Sequence, residues 1–342
     1  MSYRITLEET DESFTVADDE PILDAAERAG INLAHDCRYG GCSTCRFKLL
    51  SGEVGYEEMP FALTEAEAEA GYGLACQARA KSDLHISATI RPEGFIQPDY
   101  HEAIIEQLEL LCHDVVHLVL RIPSAAEVIF HPGQYLNVML DDGEPRSFSM
   151  ASPPGSELFD LHVRRVPGGR FTDTLIEHYK VGDTLDVELP LGDFRLQSDD
   201  ISRPILLVAS GTGLAPIKSI IESLCDNALR PPMTLYWGVR SEQDLYLNQQ
   251  LTQWVEQLDD FDYAPVLSRP DSNWQGRSGY VQDAVVADFA DLSGFDAYLC
   301  GSPTMVKAAR DLFVRHGMPI ERIYSDAFNF SHELTGESVE TA

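Results

Sequence analysis

Four cysteines place the strongest constraint on what this chain can fold into. Cys37, Cys42 and Cys45 follow the spacing C-x4-C-x2-C, and Cys76 stands 31 positions after Cys45. A structural zinc site normally draws its thiolates from two short C-x2-C pairs. Three thiols in one loop with a distant fourth are typical instead of a plant-type [2Fe–2S] cluster. The spacing therefore predicts such a cluster, with zinc or unrelated thiols as the alternative.

The loop between these cysteines and the remaining thiols support the same interpretation. Gly40 and Gly41 allow the backbone to turn tightly and to direct N–H groups at the sulfur atoms of a negatively charged cluster. The other three of the seven cysteines stand alone in apolar runs, as buried free thiols usually do, and they are Cys112, Cys225 and Cys300. A secreted disulfide framework would be denser and evenly paired, so we expect a reducing, cytoplasmic location.

Charge and hydropathy exclude several classes of function. The 342 residues carry a formal net charge of −31, which opposes non-specific binding to nucleic acid and to anionic membranes. The N-terminus lacks the apolar core of a signal peptide, and the apolar runs are too short to span a bilayer. Residues 1–93 contain 18 acidic and 8 basic side chains, and this excess favours a partner protein with a basic docking face.

Residues 1–93 alternate short strand patterns with helix signals. The first helix is predicted to begin at Pro21 and to end at Gly30, because proline favours the first helical turn and glycine favours the position after a helix. Thr64 and Glu67 have the spacing of a capping box, which predicts the start of a second, short acidic helix.

The pattern then changes twice along the chain. A proline-containing linker leads to short strands separated by Gly, Pro and Asp turns, which indicate an antiparallel barrel. Buried strands alternating with helices follow and indicate a parallel α/β sheet. The predicted segments are the linker at 94–101, the barrel at 102–200, the α/β domain at 201–330 and a polar tail at 331–342.

A glycine-containing loop, "GTGLAP", runs from a buried strand directly into a helix. Gly211, Thr212 and Gly213 would let a phosphate approach the helix N-terminus, where unpaired N–H groups favour anions. Because Pro216 takes the last position of an incomplete G-x-G-x-x-G, packing alone could also explain the loop. Two further strand ends favour a dinucleotide, since ligands of open α/β sheets collect there. The residues at these ends are Arg240, Ser241, Cys300 and Gly301.

Two stretches of the barrel segment suggest a second phosphate-bearing cofactor. In "EPRSFSMAS", Arg146 and Ser149 lie at a strand edge with Phe148 between them. In "HVRRVPGGRFTDTL", Arg164 is followed by two glycines and by Thr172 at a predicted helix start, which would be a second anion site. Either stretch alone could be a charged strand edge or a turn, whereas the two together favour a cofactor.

These motifs resemble the iron–sulfur flavoprotein reductases of bacterial ring-hydroxylating oxygenases, such as those of terephthalate and benzoate dioxygenase. The similarity is clearest in "DDGEPRSFSMASPP", "LHVRRVPGGRFTD" and "GDTLDVELPLG", and it extends from residue 3 to about residue 330. The resemblance implies a multidomain α+β and α/β chain. Its parts would be an N-terminal β-grasp plant-type ferredoxin domain, an antiparallel β-barrel flavin domain and a parallel α/β nicotinamide-binding domain.

The resemblance also implies a role for each residue of the flavin site. Arg146 would pair with the flavin pyrophosphate, Phe148 would lie along the isoalloxazine in place of the usual tyrosine, and Ser149 would hydrogen-bond near flavin N5. The next strand and turn would complete the site. The adenine–ribityl side would have His162, Val163 and Arg164, and the pyrophosphate would be capped by Gly169, Arg170, Phe171 and Thr172.

The nicotinamide site is implied in the same way. The loop 211–216, ending in Pro216, matches the family's G-T-G-x-A-P for the dinucleotide. Cys300, Gly301 and Pro303 match the C-G-x-P that lies beside the nicotinamide. Phe328 matches an aromatic residue that covers the flavin, although here 14 more residues follow it. The residues implied at the reacting atoms are Ser149, Cys300 and Phe328.

The implied activity is electron transfer from NAD(P)H. A hydride would pass to FAD, and single electrons would then pass through the cluster to a partner protein, while the polypeptide positions the cofactors. A ferredoxin domain at the N-terminus favours FAD over FMN. We expect NADH as the donor, although Arg240 and Ser241 could hold the 2′-phosphate of NADPH. The rim of the cluster loop, with Arg38 and Tyr39, is where we expect the partner to collect electrons.

Three hypotheses remain open for the partner and the class of function. The leading hypothesis is a monomeric reductase that serves the terminal oxygenase component of an aromatic-ring Rieske dioxygenase. The same electron path could serve a diiron monooxygenase or a deoxysugar dehydratase. A different class would be a non-catalytic redox or metal sensor, and the cofactor motifs after residue 102 count against it.

Overall fold

The computed structural model describes residues 2–91, 98–123, 128–140, 145–197, 200–225 and 230–328. Within these ranges the chain forms three domains, which confirms the predicted fold class. The predicted polar tail, 331–342, lies outside the described residues. Among the residues that the structure describes, no helix is both long and apolar enough to cross a membrane.

The N-terminal domain is a mixed sheet crossed by one helix, as in the β-grasp fold. Its elements are β1 (Ser2–Leu7), β2 (Ser13–Ala17), α1 (Ile22–Arg28), β3 (Arg46–Ser51), β4 (Val54–Gly55), α2 (Glu65–Glu69), β5 (Tyr72–Leu74), β6 (Arg79–Ala80) and β7 (Leu84–Ala88). The strand order is β2-β1-β7-β3-β5, with β1 and β7 parallel and the other neighbours antiparallel. Helix α1 buries one apolar face in the domain core.

Local signals explain where both helices of this domain begin and end. Pro21 is the N-cap residue of α1, and Gly30 lies just beyond its end with a φ of +79°, a left-handed conformation that favours glycine. The capping box of α2 is formed by Thr64 and Glu67, each of which binds the backbone of the other. Both predictions are confirmed. They could be made from the sequence because each signal acts on neighbours within four positions.

The flavin domain is an antiparallel barrel, as predicted. Its elements are β8 (Asp99–Leu110), β9 (Val115–Arg121), β10 (Tyr135–Met139), β11 (Pro145–Ser149), β12 (Leu158–Arg164), α3 (Leu175–His178) and β13 (Thr184–Leu191). The strand order is β11-β10-β13-β8-β9-β12. A bridge between Met150 and Leu161 joins the two ends of this sheet, and the barrel core lies inside it.

Two predictions for this domain differ from the structure. Strand β8 begins at Asp99, within the predicted linker 94–101, and it pairs there with Leu189 of β13. The side chains at the start of β8 are polar and mostly exposed. The sequence there therefore lacks the apolar alternation that is typical of a strand. The predicted helix start at Thr172 is wrong, since α3 begins only at Leu175 and has four residues.

The nicotinamide domain is a parallel sheet covered by helices on both faces. Its elements are β14 (Ile205–Ser210), α4 (Leu214–Cys225), β15 (Met233–Val239), α5 (Asn248–Gln257), β16 (Phe261–Leu267), β17 (Arg277–Ser278), α6 (Val281–Asp288), β18 (Asp296–Gly301), α7 (Pro303–Arg315) and β19 (Ile323–Ala327). The order is β17-β16-β15-β14-β18-β19. The crevice at the carboxyl ends of β14 and β18 is the topological switch point, where such sheets bind ligands.

Candidate functional site

The four predicted cluster ligands form two pairs of thiols in the N-terminal domain. The thiols of Cys37 and Cys42 are hydrogen-bonded to each other, and so are those of Cys45 and Cys76. None of the four forms a disulfide. The hydrogen bond with Cys42 lowers the pKa of Cys37 to about 7, helped by the N–H of Gly41, which lies 3.2 Å from the Cys37 sulfur. A [2Fe–2S] cluster takes two thiolates per iron, so this paired donor set fits it.

Three residues in the left-handed region give the cluster loop its shape. Arg38, Gly40 and Ser43 have φ values of 60°, 82° and 66°. A Cβ atom on Gly40 would also lie 2.8 Å from the Cβ of Pro60, so glycine is required here by close packing as well. The Gly40 carbonyl accepts a hydrogen bond of 2.9 Å from the N–H of Ala62. The segment around Pro60 therefore packs directly on the cluster loop.

The two rim residues predicted to face the partner have different surroundings. Arg38 is held by carboxylates of α1, at 2.7 Å from Glu27 and 2.9 Å from Asp24. The ring of Tyr39 is exposed. Arg38 therefore fixes the loop to the helix, and both residues remain exposed at its rim.

Sequence reasoning missed the apolar side chains next to this rim. Met59 and Phe61, on either side of Pro60, are 60% and 47% exposed. Glu57 and Glu58 precede them and are also exposed. An unusual run of exposed apolar residues beside acidic ones, "EEMPF", was the available sequence signal.

Strand β11 places the predicted flavin residues at one edge of the barrel. Arg146 and Phe148 are half-buried, and Ser149 is buried. The ring of Phe148 lies against that of Phe171, with centroids 5.7 Å apart. A guanidinium, an aromatic ring and a hydroxyl group within four positions of one edge strand fit the pyrophosphate, the ring system and the polar edge of a flavin.

Strand β12 distributes its three predicted flavin residues differently. Val163 is wholly buried in the barrel core, so only its backbone can face a cofactor. Burial lowers the pKa of His162 to about 3, which keeps its imidazole neutral, and Nδ1 lies 3.2 Å from the Tyr246 hydroxyl. A Cβ on Gly211 would lie 3.1 Å from the Arg164 guanidinium. His162 and Arg164 therefore face the nicotinamide domain.

The predicted pyrophosphate cap is a tight turn. The Thr172 hydroxyl accepts a hydrogen bond of 3.3 Å from the N–H of Val166, and a Cβ on Gly169 would lie 2.5 Å from that hydroxyl oxygen. The side chain of Phe171 is buried in the barrel core, whereas Arg170 is exposed. The N–H groups of Gly168 and Gly169 bond within the turn, to Asp173 and to the Val166 carbonyl, and Arg170 is its exposed cationic side chain.

Sequence reasoning also missed a buried ionic network between the barrel and α4. The Lys218 ammonium group donates to Asp160 at 3.1 Å, to Glu222 at 3.0 Å and to the carbonyl of Ala151 at 3.1 Å. Burial raises the pKa of Asp160, but the bond with His117 and the Lys218 charge hold that pKa well below its usual range. The network fixes the flavin domain to the nicotinamide domain.

The glycine loop and the second predicted nicotinamide loop meet at the switch point. A Cβ on Gly213 would lie 2.2 Å from the carbonyl oxygen of Cys300, and one on Gly301 would lie 2.2 Å from Oγ of Ser210. The Ser210 hydroxyl also accepts a hydrogen bond of 2.9 Å from the N–H of Ser302. The fold thus brings two stretches that lie about 90 positions apart into one crevice.

Other predicted nicotinamide residues border this crevice. Cys300 is wholly buried, and burial raises the pKa of its thiol, so the thiol is protonated. The Phe328 N–H donates a hydrogen bond of 2.8 Å to the carbonyl of Gly301, which places this aromatic residue beside the loop. Pro216 and Pro303 lie in the first turns of α4 and α7.

The two residues that could hold a 2′-phosphate lie just beyond β15. Arg240 is exposed. The Ser241 hydroxyl donates to Asp244 at 2.9 Å, and the two residues form a capping box. A carboxylate beside Ser241 would repel a phosphate, so this end of β15 favours a ribose hydroxyl.

The cluster loop contacts the flavin barrel through buried charged groups. The Asp193 N–H donates to Asp36 at 2.9 Å, and the Asp193 carboxylate accepts from the His35 N–H at 3.2 Å and from Arg91 at 2.9 Å. Burial and the nearby Asp193 charge raise the pKa of Asp36 to about 6. Because Asp36 directly precedes Cys37, this contact positions a cluster ligand.

Tyr135 connects this contact to the flavin site. A Cβ atom on Gly192 would lie 2.8 Å from the Tyr135 ring and 3.7 Å from the Asp36 carboxylate, so the ring lies near Asp36. In the ladder of β10 and β11, Tyr135 is paired with Ser149. The residue predicted at flavin N5 is therefore one strand away from a residue whose ring lies near Asp36, the neighbour of Cys37.

Three family models match successive parts of the chain. The 2Fe-2S iron–sulfur cluster binding domain matches residues 5–81, the oxidoreductase FAD-binding domain matches 102–196, and the oxidoreductase NAD-binding domain matches 207–311. These matches support the three cofactors, [2Fe–2S], FAD and NAD, in the order in which the sites occur.

Relatives align over nearly the whole chain. The terephthalate 1,2-dioxygenase reductase component 2 of Comamonas sp. is 36% identical, over 96% of this chain and 98% of its own length. The CDP-6-deoxy-L-threo-D-glycero-4-hexulose-3-dehydrase reductase of Yersinia pestis is 35% identical, over 96% and 99%. The crystallised ferredoxin reductase of carbazole 1,9a-dioxygenase is 28% identical, with a TM-score of 0.64 over 96% and 99%. The chain therefore belongs to the iron–sulfur flavoprotein reductases, the electron-transfer components of dioxygenases, monooxygenases and related enzymes.

Proposed function

We propose that this chain takes a hydride from NADH onto FAD and delivers single electrons through its [2Fe–2S] cluster to the terminal component of an aromatic-ring Rieske dioxygenase. The observation that carries the proposal is the ladder pair of Ser149 and Tyr135, whose ring lies near Asp36, the residue directly before the cluster ligand Cys37. When bound, FAD would accept both electrons of the hydride and release them singly with loss of a proton.

The side chains around these sites bind and orient the cofactors and transfer no proton themselves. Arg146 would neutralise the pyrophosphate, Phe148 would support the ring system, and the buried Ser149 hydroxyl would hold its polar edge in place. The ring of Phe328 would give the nicotinamide a dry, apolar surface, which protects the hydride from water, and the wholly buried Cys300 would border the crevice through its backbone.

The partner would dock at the cluster side of the N-terminal domain. Tyr39, Met59 and Phe61 are exposed here, and we define them as the apolar rim. Glu57 and Glu58 border the rim. An apolar patch with an acidic border fits a partner whose electron-accepting face is apolar at its centre and basic at its edge. We further propose that the reductase acts as a monomer in the cytoplasm, and the cytoplasmic location is supported by its seven cysteines, which are all free thiols.

Anaerobic titration of the purified holoprotein with NADH tests the proposal. We expect the absorbance of both flavin and cluster to bleach, and full bleaching should need about 1.5 equivalents of NADH, because the flavin takes two electrons and the cluster takes one. A purified protein that holds the cluster but no flavin, and that does not respond to NADH, would contradict the proposal and favour a sensor.

A deoxysugar dehydratase is a second candidate partner. The Yersinia pestis reductase, whose name gives such a dehydrase as its partner, is 35% identical to this chain over 99% of its own length. Reconstitution with each purified terminal enzyme would separate the two. NADH-driven turnover only with the terephthalate dioxygenase component would support an oxygenase as the partner. Turnover only with the dehydrase would instead assign a deoxysugar dehydratase as the partner.

The choice of donor depends on Arg240. The neighbouring Ser241 donates a hydrogen bond to the Asp244 carboxylate, which would repel the 2′-phosphate of NADPH. We therefore expect NADH to be the donor and Arg240→Ala to change kcat/KM for NADH by less than about twofold. Steady-state reduction of ferricyanide with each donor measures this effect. A larger kcat/KM with NADPH than with NADH in the parent protein, lost in the variant, would reverse the assignment.

A further inference from the structure

A second buried ionic contact joins the N-terminal domain to the nicotinamide domain. The Glu67 side chain of α2 pairs with Arg310 of α7, and the two side chains are 2% and 3% exposed. Glu67 also pairs with Arg46 at 3.0 Å, and Arg46 crosses the interface to bind the carbonyl of Ile320 at 3.0 Å. Glu67, Arg46 and Arg310 are termed the interdomain ion cluster below.

The Glu67 carboxylate is the centre of the interdomain ion cluster. Burial raises the pKa of Glu67, but the charges of Arg310 and Arg46, together with the hydrogen bond from the Thr64 N–H, lower that pKa by more, so the carboxylate is ionised. Removing Glu67 would leave the buried Arg310 guanidinium without its acid, and removing Arg310 would leave Glu67 with Arg46 alone. Losing a buried pair is far more costly than losing an exposed pair. Salt screens such a buried contact only weakly. The three charges therefore favour the docked arrangement of the two domains.

On the N-terminal side, the ion cluster is attached to two of the iron ligands. Arg46 directly follows Cys45 and pairs with Leu74 in the ladder of β3 and β5. Glu67 lies on α2, which leads through β5 to Cys76. The ion cluster is therefore connected, through β3 and β5, to the part of the domain that carries Cys45 and Cys76.

On the nicotinamide side, the ion cluster is attached to the elements that border the donor crevice. Arg310 lies on α7, which begins at Pro303 directly after the nicotinamide loop. Its guanidinium also donates to the Ser325 hydroxyl at 2.9 Å, on strand β19, which leads to Phe328. The ion cluster thus connects the iron ligands to the frame of the flavin and nicotinamide sites.

We propose that Glu67 and Arg310 are positioning residues that hold the [2Fe–2S] domain in place for electron transfer from the flavin. This inference rests on the proposed function. The Asp36–Asp193 contact fixes the cluster loop to the flavin domain, and the interdomain ion cluster fixes the same domain at a second place, so its orientation is set. Electron transfer slows steeply with distance between the donor and the acceptor, whereas hydride transfer does not involve the N-terminal domain.

Stopped-flow reduction of the holoprotein by NADH, without oxygen, tests this role. The variants are Arg310→Gln and Glu67→Gln, and glutamine at position 67 can keep the capping-box hydrogen bond to Thr64. We expect flavin bleaching at a rate within about twofold of the parent, since the hydride step is untouched. Cluster bleaching should slow about tenfold or more, in proportion to the lost docked population. The EPR spectrum of the reduced cluster should stay unchanged.

The matched control is Arg28→Gln, which breaks a pair with Glu20 inside the N-terminal domain (2.9 Å) and should leave both rates unchanged. The proposal is overturned if Arg310→Gln, with full iron and flavin content, reduces its cluster at the parent's rate. If Glu67→Gln does not fold, Arg310→Gln still tests the proposal, because in that variant Glu67 keeps Arg46 as a partner. Failure of the proposed function looks different, because the parent itself would then not bleach with NADH.

Discussion

Burial and hydrogen bonding set the protonation state of individual residues in this chain. His162, wholly buried between Asp160 and the Tyr246 ring, is kept neutral because burial opposes its charged form. The pKa of Cys37 is lowered as well, but here hydrogen bonds from its neighbours favour the charged thiolate and outweigh burial. Burial therefore keeps an imidazole at the domain interface uncharged, whereas hydrogen bonds prepare a cluster ligand for iron.

Cys76 should be required for the cluster and dispensable for the flavin. We expect Cys76→Ser to lose the cluster absorbance, because one iron then lacks a thiolate, while NADH still reduces ferricyanide through the flavin. Iron content and NADH–ferricyanide activity are the measurements. Cys225→Ser, which changes a thiol outside the two pairs, is the control. Loss of ferricyanide reduction in a flavin-loaded Cys76→Ser protein would contradict the proposed order of carriers.

His162 should make the fold sensitive to acid. Its folded pKa of about 3 lies below the value of 6.5 for an unfolded histidine, so only the unfolded chain takes up this proton between those pH values. Stability is fully present above pH 6.5 and is lost as the pH falls. The groups facing His162 are Asp160, Lys218, His117 and Tyr246.

Replacing His162 by glutamine should flatten this dependence. Between pH 6 and 4.5 the unfolding free energy of the variant should fall by about 1.4 kcal/mol less per pH unit than that of the parent, the value for one proton. Urea unfolding at saturating FAD measures it, and this range lies above the pH at which Asp160 would be protonated. His178→Gln, at an exposed position, should keep the parent's slope. Equal slopes in all three proteins would refute the role of His162.

The two helices of the N-terminal domain begin where local signals predict, whereas polar residues hide the start of β8, and α3 begins three positions after the predicted Thr172. The capping box of α2 and the glycine after α1 were readable because both act over a few positions. The start of β8 at Asp99 was not, since its exposed polar side chains resemble a linker. Arg164 illustrates a second limit: its place on β12 was predictable, but its approach to Gly211 depends on how two domains pack.

Gly213 should be intolerant of any side chain. A Cβ atom would lie 2.2 Å from the Cys300 carbonyl oxygen and 2.7 Å from the Gly301 Cα atom, and neither backbone can move without opening the crevice. We expect Gly213→Ala to lower kcat/KM for NADH about 100-fold through misplacement of the loop. The cluster should still be reducible by dithionite. Gly294→Ala, where a Cβ meets nothing within 4 Å, is the control, and unchanged kcat/KM in Gly213→Ala would show that the loops need not touch.

The molecule as a whole combines an acidic surface with buried charged contacts between its domains. A net charge of −31 extends over the chain, yet the domains are joined by Arg91, Lys218 and Arg310, each paired with acids. Exposed carboxylates therefore remain available for a partner, while buried ones fix the domain arrangement. The two sets should respond differently to salt.

The acidic border of the apolar rim should govern partner docking. With horse cytochrome c, a basic acceptor protein, as the probe, we expect Glu57→Gln/Glu58→Gln to lower kcat/KM about fivefold at low salt and to weaken its salt dependence. NADH–ferricyanide activity should not change. Glu256→Gln/Asp259→Asn, which removes two exposed charges from the nicotinamide domain, is the control. A similar loss in the control would mean that net charge, rather than this face, attracts the acceptor.

Short patterns in the sequence specify which cofactors this protein binds. The packing of its three domains specifies how the cofactor sites are connected. Cysteine spacing, the glycine loop and the R-x-F-S stretch were readable because each is a short-range pattern imposed by one cofactor. The pair Glu67–Arg310 spans 243 positions, and Arg91–Asp193 spans 102. No local periodicity records such pairs, since a buried charge reveals its partner only when the packed domains exclude water from both.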